Sequence, residues 1–208
     1  ALSGSRGTVL SMPLPSHDRE LGQFIPLHYH GIMLLDQARM QNFRAAIAQV
    51  VPVGGTVVDL GGGTGVLSYF AAQNARKVWC VERIPQMAER AAQIIAMNGC
   101  QDRVEVIRTD AFDYLPPEPV DVVICEMLHV GLLREQQLPV LRAFKQRYAE
   151  AYPHSRPAFI PDITMQAVQP VQQDYVYEGY TAPTPLFQDP LSLQPRTLDL
   201  GTPVIYQT

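Results

Sequence analysis

The sequence predicts an α/β domain built on a doubly wound, mostly parallel, Rossmann-like sheet. Two observations predict it. The runs "TVVDL" and "DVVIC" are near-continuously apolar and β-branched, as strands covered on both faces must be. Strand-like runs also alternate with helix-like ones from Thr56 to Ala149, and that order gives a parallel sheet with right-handed crossovers. A chain of 208 residues suits one domain with an appendage, and it buries enough surface to need no disulfide or metal to hold it.

The elements follow in order. Residues 1–29 form a lead-in whose first part is small, polar and proline-containing. From His30 to Val50, apolar residues at Ile32, Leu34, Leu35, Ala38, Phe43, Ala46, Ile47 and Val50 keep helical spacing, broken once near Met40 to Asn42. Pro52 and Gly54-Gly55 end that helical stretch. Strands are expected at Thr56–Leu60, Lys77–Val81, Arg103–Arg108 and Val120–Cys125. Helices are expected at Gly65–Asn74, Pro85–Met97 and Arg134–Ala149, the second stopped by Asn98-Gly99. These elements make residues 30–162 the body of the domain. After Tyr152 proline becomes frequent and charge falls ("ITMQAVQPV", "DYVYEGY"). Residues 163–208 therefore read as a C-terminal β extension, either lengthening the sheet or forming a small appendage.

Composition narrows the function. Hydrophobic residues make up 47% and charged residues 17%, the balance of a soluble globular protein. A net charge of -4 disfavours nucleic acid as a partner and leaves basic substrates open. Cys80, Cys100 and Cys125 stand apart, without a CxxC or His/Cys cluster, so no metal site is expected. No apolar run reaches the roughly 18 residues of a membrane span, and no signal-like segment is seen. The expectation is a cytoplasmic protein with no membrane association.

The stretch "VVDLGGGTGVLSYFAAQ" is a buried strand, a glycine turn and a helix. A dinucleotide fingerprint, G-x-G-x-x-G, fails because its last place is Val66. A P-loop fails because no Gly-Lys-Ser/Thr follows. The pattern present is an acidic residue followed by Gly61, Gly63 and Gly65. A pyrophosphate would exploit the helix N-terminus. S-adenosylmethionine (SAM) instead presents an ammonium that Asp59 suits, and a methionine part that the glycine backbone can approach closely. Glu82, ending the second strand about 20 positions after the turn, is placed for two ribose hydroxyls. Asp110-Ala111, ending the third, is placed for the adenine amino group. Against this stands the plainer reading of a tight turn without a ligand, which the convergence of acidic strand ends outweighs.

These residues resemble a known family. "VVDLGGGTGVLSYFAAQNARKVWCVER" is similar to the SAM-binding half of the protein arginine methyltransferases. Upstream, His30-Gly31-Ile32-Met33-Leu34-Leu35-Asp36-Gln37-Ala38-Arg39 keeps the spacing of the family's H-x-x-M-L-x-D-x-x-R segment, which folds over the cofactor as a helical lid. The resemblance implies that Arg39 pairs with the SAM carboxylate, that Met33 packs on the cofactor and that His30 lies near it. Downstream, Glu126 and Glu135 in "CEMLHVGLLRE" keep the nine-residue spacing of the family's two acceptor-binding glutamates, and "FIPD" at 159–162 is similar to its next strand. The likeness runs from about residue 24 to 170.

It implies a seven-strand-type methyltransferase sheet, SAM as cofactor leaving as S-adenosylhomocysteine, and a protein or peptide arginine as acceptor. It also implies that residues 163–208 are a truncated or reduced barrel. Departures are Met127-Leu128-His129, where the family has an aromatic or proline and then Met-Gly, and the lack of its late threonine–histidine–tryptophan loop. Trp79, the sole tryptophan, is mid-strand and reads as core. His129, inside the loop, reads as facing either substrate or solvent.

Alternatives stay open. Glu126 reads alternatively as a solvated loop residue or a partner of Arg39, and Glu135 as an acid favouring a helix N-terminus. The acceptor reads alternatively as RNA or a small metabolite, although "CEML" stands where a base-amino methyltransferase would carry Asn/Asp-Pro-Pro-Tyr/Phe. A non-catalytic SAM-binding interaction module is the remaining reading. Oligomeric state is not set by the sequence.

Overall fold

The computed structural model describes residues 27–128, 132, 135–181 and 197–207. Its centre is a parallel sheet in which β1 (Thr56–Leu60) lies between β2 (Lys77–Glu82) and β4 (Val122–Cys125). Beyond these lie β3 (Val104–Arg108) and β5 (Ala158–Ile160), giving the order β3-β2-β1-β4-β5. Among the described residues the sheet has five strands, so the seven-strand count is not reached. Every residue of β1 and β4 is buried, which is why both runs lack the alternation of a half-exposed strand. The strand order reverses between β1 and β4, and a crevice opens at their carboxyl ends.

Helices cover both faces. On one, Ile47, Val57, Leu67, Ile95 and Ile124 form a core. On the other, Val58, Leu60, Trp79, Val81, Phe144 and Tyr148 form a second. Cys80, Cys100 and Cys125 are buried free thiols.

The helical boundaries depart from the pattern in two places that matter to the site. The break in the first helical stretch falls at Asp36, between α1 (Leu27–Leu35) and α2 (Gln37–Val50), and not near Met40. The Asp36 carboxylate accepts the backbone N–H of Arg39 at 3.0 Å, so it caps α2 and competes with continuation of α1. After α3 (Val66–Ala71) and α4 (Pro85–Met97), α5 (Gln137–Ala151) starts later than its apolar spacing predicts. Gln136 is in the left-handed region (φ 55°), which ends the loop in a sharp turn and leaves Glu135 outside the helix. At its other end α5 is pinned by Tyr148, whose Oη accepts the Val120 N–H at 2.8 Å. Tyr152 Oη donates to the Pro116 carbonyl at 2.6 Å.

The described strands after Pro161 pair only among themselves. β6 (Gln166–Val168) pairs with β11 (Val204–Gln207), β7 (Val171–Gln173) with β10 (Thr197–Asp199), and β8 (Val176–Tyr177) with β9 (Tyr180–Thr181), all antiparallel. Among the described residues no helix is long and apolar enough to cross a membrane.

Candidate functional site

A cleft lies over the carboxyl ends of β1, β2, β3 and β4 and is closed from above by α1 and α2. Its floor is the glycine turn. Gly61 (φ 77°) and Gly63 (φ 54°) adopt backbone that residues with a Cβ rarely tolerate. The N–H groups of Gly61 and Gly62 donate to the Val81 carbonyl at 3.0 and 2.9 Å, folding the turn against β2. A side chain at Gly62 would run into Cys80 Sγ, so this middle glycine is set by packing.

Glu82 ends β2 with its carboxylate held on both sides. One oxygen accepts the Gly63 N–H at 3.0 Å and the other the Ile84 N–H at 2.8 Å. Burial raises its pKa, and the N–H donors of Ile84, Gly63 and Arg83 oppose that rise. Glu82 lines the cleft, and its carboxylate can accept a further hydrogen bond beyond these donors. Asp110 closes the far end. Its Oδ1 accepts the Phe112 N–H at 2.9 Å, and its Oδ2 lies 3.6 Å from Arg83. Ala111 and Asp110 both line the cleft.

His30 and Met33 of α1 face this floor. A Cβ at Gly63 would meet the His30 ring at 3.0 Å. Burial lowers the pKa of His30, so the imidazole is neutral near pH 7.

The end of the cleft beside β4 is a cluster of charges. Arg39 Nη2 donates to Glu126 Oε1 at 2.8 Å, joining α2 to the segment after β4. Glu135 shares the cleft wall with them. Its carboxyl is pushed up to about 7, first by burial and then by the charge of Glu126, with Arg39 opposing. Glu126 is also raised by burial, against the Arg39 charge. Among the described residues, Glu126 and Glu135 thus share one cation, Arg39.

Of the residues expected from sequence, the structure brings ten to the cleft: His30, Met33, Arg39, Gly61, Gly63, Glu82, Asp110, Ala111, Glu126 and Glu135. Asp59 and Gly65 stand behind it. Asp59 is fully buried and accepts the Ser68 hydroxyl at 2.6 Å, which leaves it supporting the turn from within. Gly65 (φ 81°) packs against α4, where a Cβ would meet Ile95 at 3.2 Å. The Arg39–Glu126 pair is the alternative the sequence left open. It is compatible with a carboxylate partner for Arg39 as well, since a guanidinium has five N–H donors. His129 lies outside the described residues. Sequence reasoning missed Met127, whose side chain lies against Gly61, and Gln137, whose Oε1 accepts the Met127 N–H at 2.9 Å. A glutamine at the start of a helix carries no signal that it is turned inward. Among the described residues no group of His, Cys, Asp and Glu is arranged to hold a metal.

This sheet, its glycine turn and the acidic ends of its strands define a class I SAM-dependent methyltransferase fold. A family model described as "Methyltransferase domain" matches residues 57–150. Within that class the chain resembles the protein arginine methyltransferases. It is 32% identical over 153 residues to an arginine N(omega)-methyltransferase of Streptomyces achromogenes, covering 68% of this chain and 42% of that one. An uncharacterized protein of Methanothermobacter thermautotrophicus is 36% identical over 147 residues, covering 71% of this chain and 55% of its own length. The crystal structure of Arabidopsis thaliana protein arginine methyltransferase 10 superposes with a TM-score of 0.55 at 36% identity, covering 59% of this chain and 36% of that one. The chain therefore spans about half or less of the length of these relatives.

Proposed function

We propose that this chain transfers the methyl group of SAM to a guanidinium nitrogen of arginine held between Glu126 and Glu135. The observation that carries the reading is the charge imbalance at the cleft. The charge of Glu126 raises the pKa of Glu135, burial raises both, and among the described residues Arg39 is the one cation that acts on the two. A second planar cation able to donate N–H groups to both carboxylates relieves that repulsion.

The chemistry asks for positioning more than for acid–base help. Bound SAM supplies a sulfonium-activated methyl group and a neutral thioether leaving group. The guanidinium nitrogen forms a bond to the methyl carbon, the carbon–sulfur bond breaks, and the methylated nitrogen gives up one proton to a carboxylate or to water. Glu126 and Glu135 hold the acceptor nitrogen in line and balance its charge, and fixing two reactants in this way supplies about 7–11 kcal/mol of the barrier at best. Glu82 and Asp110 accept from the cofactor's hydroxyl and amino groups, while the neutral His30 and Met33 cover it.

A protein or peptide arginine is the favoured acceptor. Several relatives are named as protein arginine methyltransferases, from Arabidopsis thaliana and Danio rerio among others. The Streptomyces relative is named for arginine itself, so free arginine is the second acceptor to test. Incubation with methyl-tritiated SAM, an arginine-rich peptide or free arginine, followed by amino-acid analysis, is expected to give labelled methylarginine. Glu126→Gln and Glu135→Gln should each lower turnover by at least a hundredfold with SAM affinity unchanged. Near-wild-type turnover in both variants would remove the pair from the acceptor site.

A further inference from the structure

We infer that Gln137 is a positioning residue that sets the separation of Glu126 and Glu135. This rests on the reading of those two glutamates as the acceptor clamp. The side chain of Gln137 is 1% exposed, an unusual burial for a glutamine at the first turn of a helix. Its Oε1 accepts the backbone N–H of Met127 at 2.9 Å.

Met127 is the residue directly after Glu126, and Gln137 lies two residues after Glu135. The one side chain thus ties together the two backbone segments that carry the carboxylates. The left-handed turn at Gln136 (φ 55°) is what allows this. It directs Gln137 inward to Met127 while Glu135 stays on the cleft wall. On its other side Met127 lies against Gly61 of the glycine turn, so the same hydrogen bond seats the acceptor segment on the floor of the cofactor cleft.

Arg39 reaches Glu126 from α2, a different direction. Losing the Gln137 acceptor would leave the Met127 N–H without its partner and the two carboxylates free to move apart. A misplacement of about 1 Å in an aligned site costs on the order of a hundredfold in rate.

Two substitutions test this. Gln137→Met keeps the length and apolar bulk and removes the acceptor oxygen. Gln137→Glu keeps the acceptor oxygen and, buried beside two carboxylates, is expected to remain protonated near neutral pH. Two readouts are needed. The first is kcat and KM for an arginine-rich peptide at saturating SAM. The second is carboxyl-carbon NMR titration of Glu135, which needs no turnover. Among the described residues, charged and titratable groups near Glu135 are Glu126 and Arg39, with His30, Glu82, Arg83 and Asp110 farther along the same cleft.

Gln137→Met is expected to lower kcat ten- to a hundredfold, with S-adenosylhomocysteine affinity within twofold of wild type. The Glu135 midpoint should move from about 7 toward the ordinary carboxylate range as Glu126 draws away. Gln137→Glu should restore both. If Gln137→Met lowers only the melting temperature, leaving kcat and the Glu135 midpoint unchanged, Gln137 is a packing residue and the inference fails. If the wild-type chain makes no methylarginine, yet the Glu135 midpoint shifts as described, the clamp reading fails and the placement by Gln137 stands.

Discussion

On the proposed role of Glu135 as a ligand of the acceptor guanidinium, the acid limb of the pH–rate profile follows from the charge cluster. Glu135 is pushed up to about 7 by burial and by Glu126. A protonated Glu135 is neutral and presents one acceptor oxygen fewer to a guanidinium, so the competent form is the ionised one. The sign is therefore fixed: kcat/KM rises with pH through about 7. Below that value it falls by about tenfold per pH unit, as a single ionisation requires. Asp59, Glu82 and Glu126 are also raised by burial, so the limb is assigned to Glu135 by its loss in Glu135→Gln. The acceptor guanidinium stays charged throughout, and His30 titrates below its ordinary value of 6.5. The kcat limb should lie at lower pH than the kcat/KM limb, because the bound cation favours the ionised carboxylate. Initial rates with saturating SAM, subsaturating and saturating peptide, and constant ionic strength from pH 5 to 9 would show both. A kcat/KM limb centred near 4.5, or none above pH 5.5, would refute the placement of Glu135 beside Glu126 in a desolvated site.

Three more outcomes are expected. Glu82→Ala should weaken SAM binding at least tenfold by calorimetry, since a charge-assisted hydrogen bond contributes about 1.5–3 kcal/mol; unchanged affinity would take Glu82 out of the cofactor site. Gly62→Ala should lower the melting temperature, because its Cβ lands on Cys80 Sγ, and overpacking costs about 1–3 kcal/mol. Adding Cys80→Ala should recover most of that loss, and a double variant no better than the single would reject the contact. Asp59 is buried with its carboxyl raised from 3.8 to about 6. Between those values the unfolded chain gives up its proton while the folded one keeps it, so stability falls as pH rises and the loss is complete above about 6. It amounts to about 3 kcal/mol. Asp59→Asn, which still accepts from Ser68, should therefore match wild type near pH 4 and exceed it at pH 7.5 in urea unfolding, and equal differences at both pH values would show that Asp59 is not buried as described.

The sheet was legible because burial on both faces leaves a one-dimensional trace. "TVVDL" and "DVVIC" have no polar face to display, and the strands they form are central. β5 left a weaker trace, since Ala158–Ile160 is a short edge strand with partly exposed residues. Composition after Tyr152 points to further strands without placing them, and the likeness of "FIPD" to a family strand marks this one. The boundary at Asp36 was hidden for a different reason. Both α1 and α2 keep helical spacing, and a capping aspartate inside one long apolar pattern looks like an ordinary polar residue until its carboxylate is seen on the Arg39 N–H.

The site was legible to the extent that its chemistry sits at strand ends. Glu82 and Asp110 end consecutive strands, so their convergence follows from topology alone. Asp59 has the same position in sequence but the opposite outcome, and the difference lies in Ser68. A serine on the first turn of α3 supplies the hydroxyl that satisfies the buried carboxylate, so Asp59 turns into the core and leaves the cleft to the glycine backbone. The end of the cleft proposed for the acceptor obeys a rule that no strand pattern carries. Glu126 and Glu135 lie on either side of a loop, and their approach depends on a left-handed residue and an inward glutamine. Neither Gln136 nor Gln137 belongs to a residue type that announces such geometry. Repulsion between the two carboxylates opposes their approach, so the contacts that hold them together are structural restraints that a bound cation then makes favourable. Arg39 fixes Glu126 through its ion pair, while the left-handed turn at Gln136 and the buried Gln137, which accepts the Met127 N–H, shape the backbone that carries the two carboxylates.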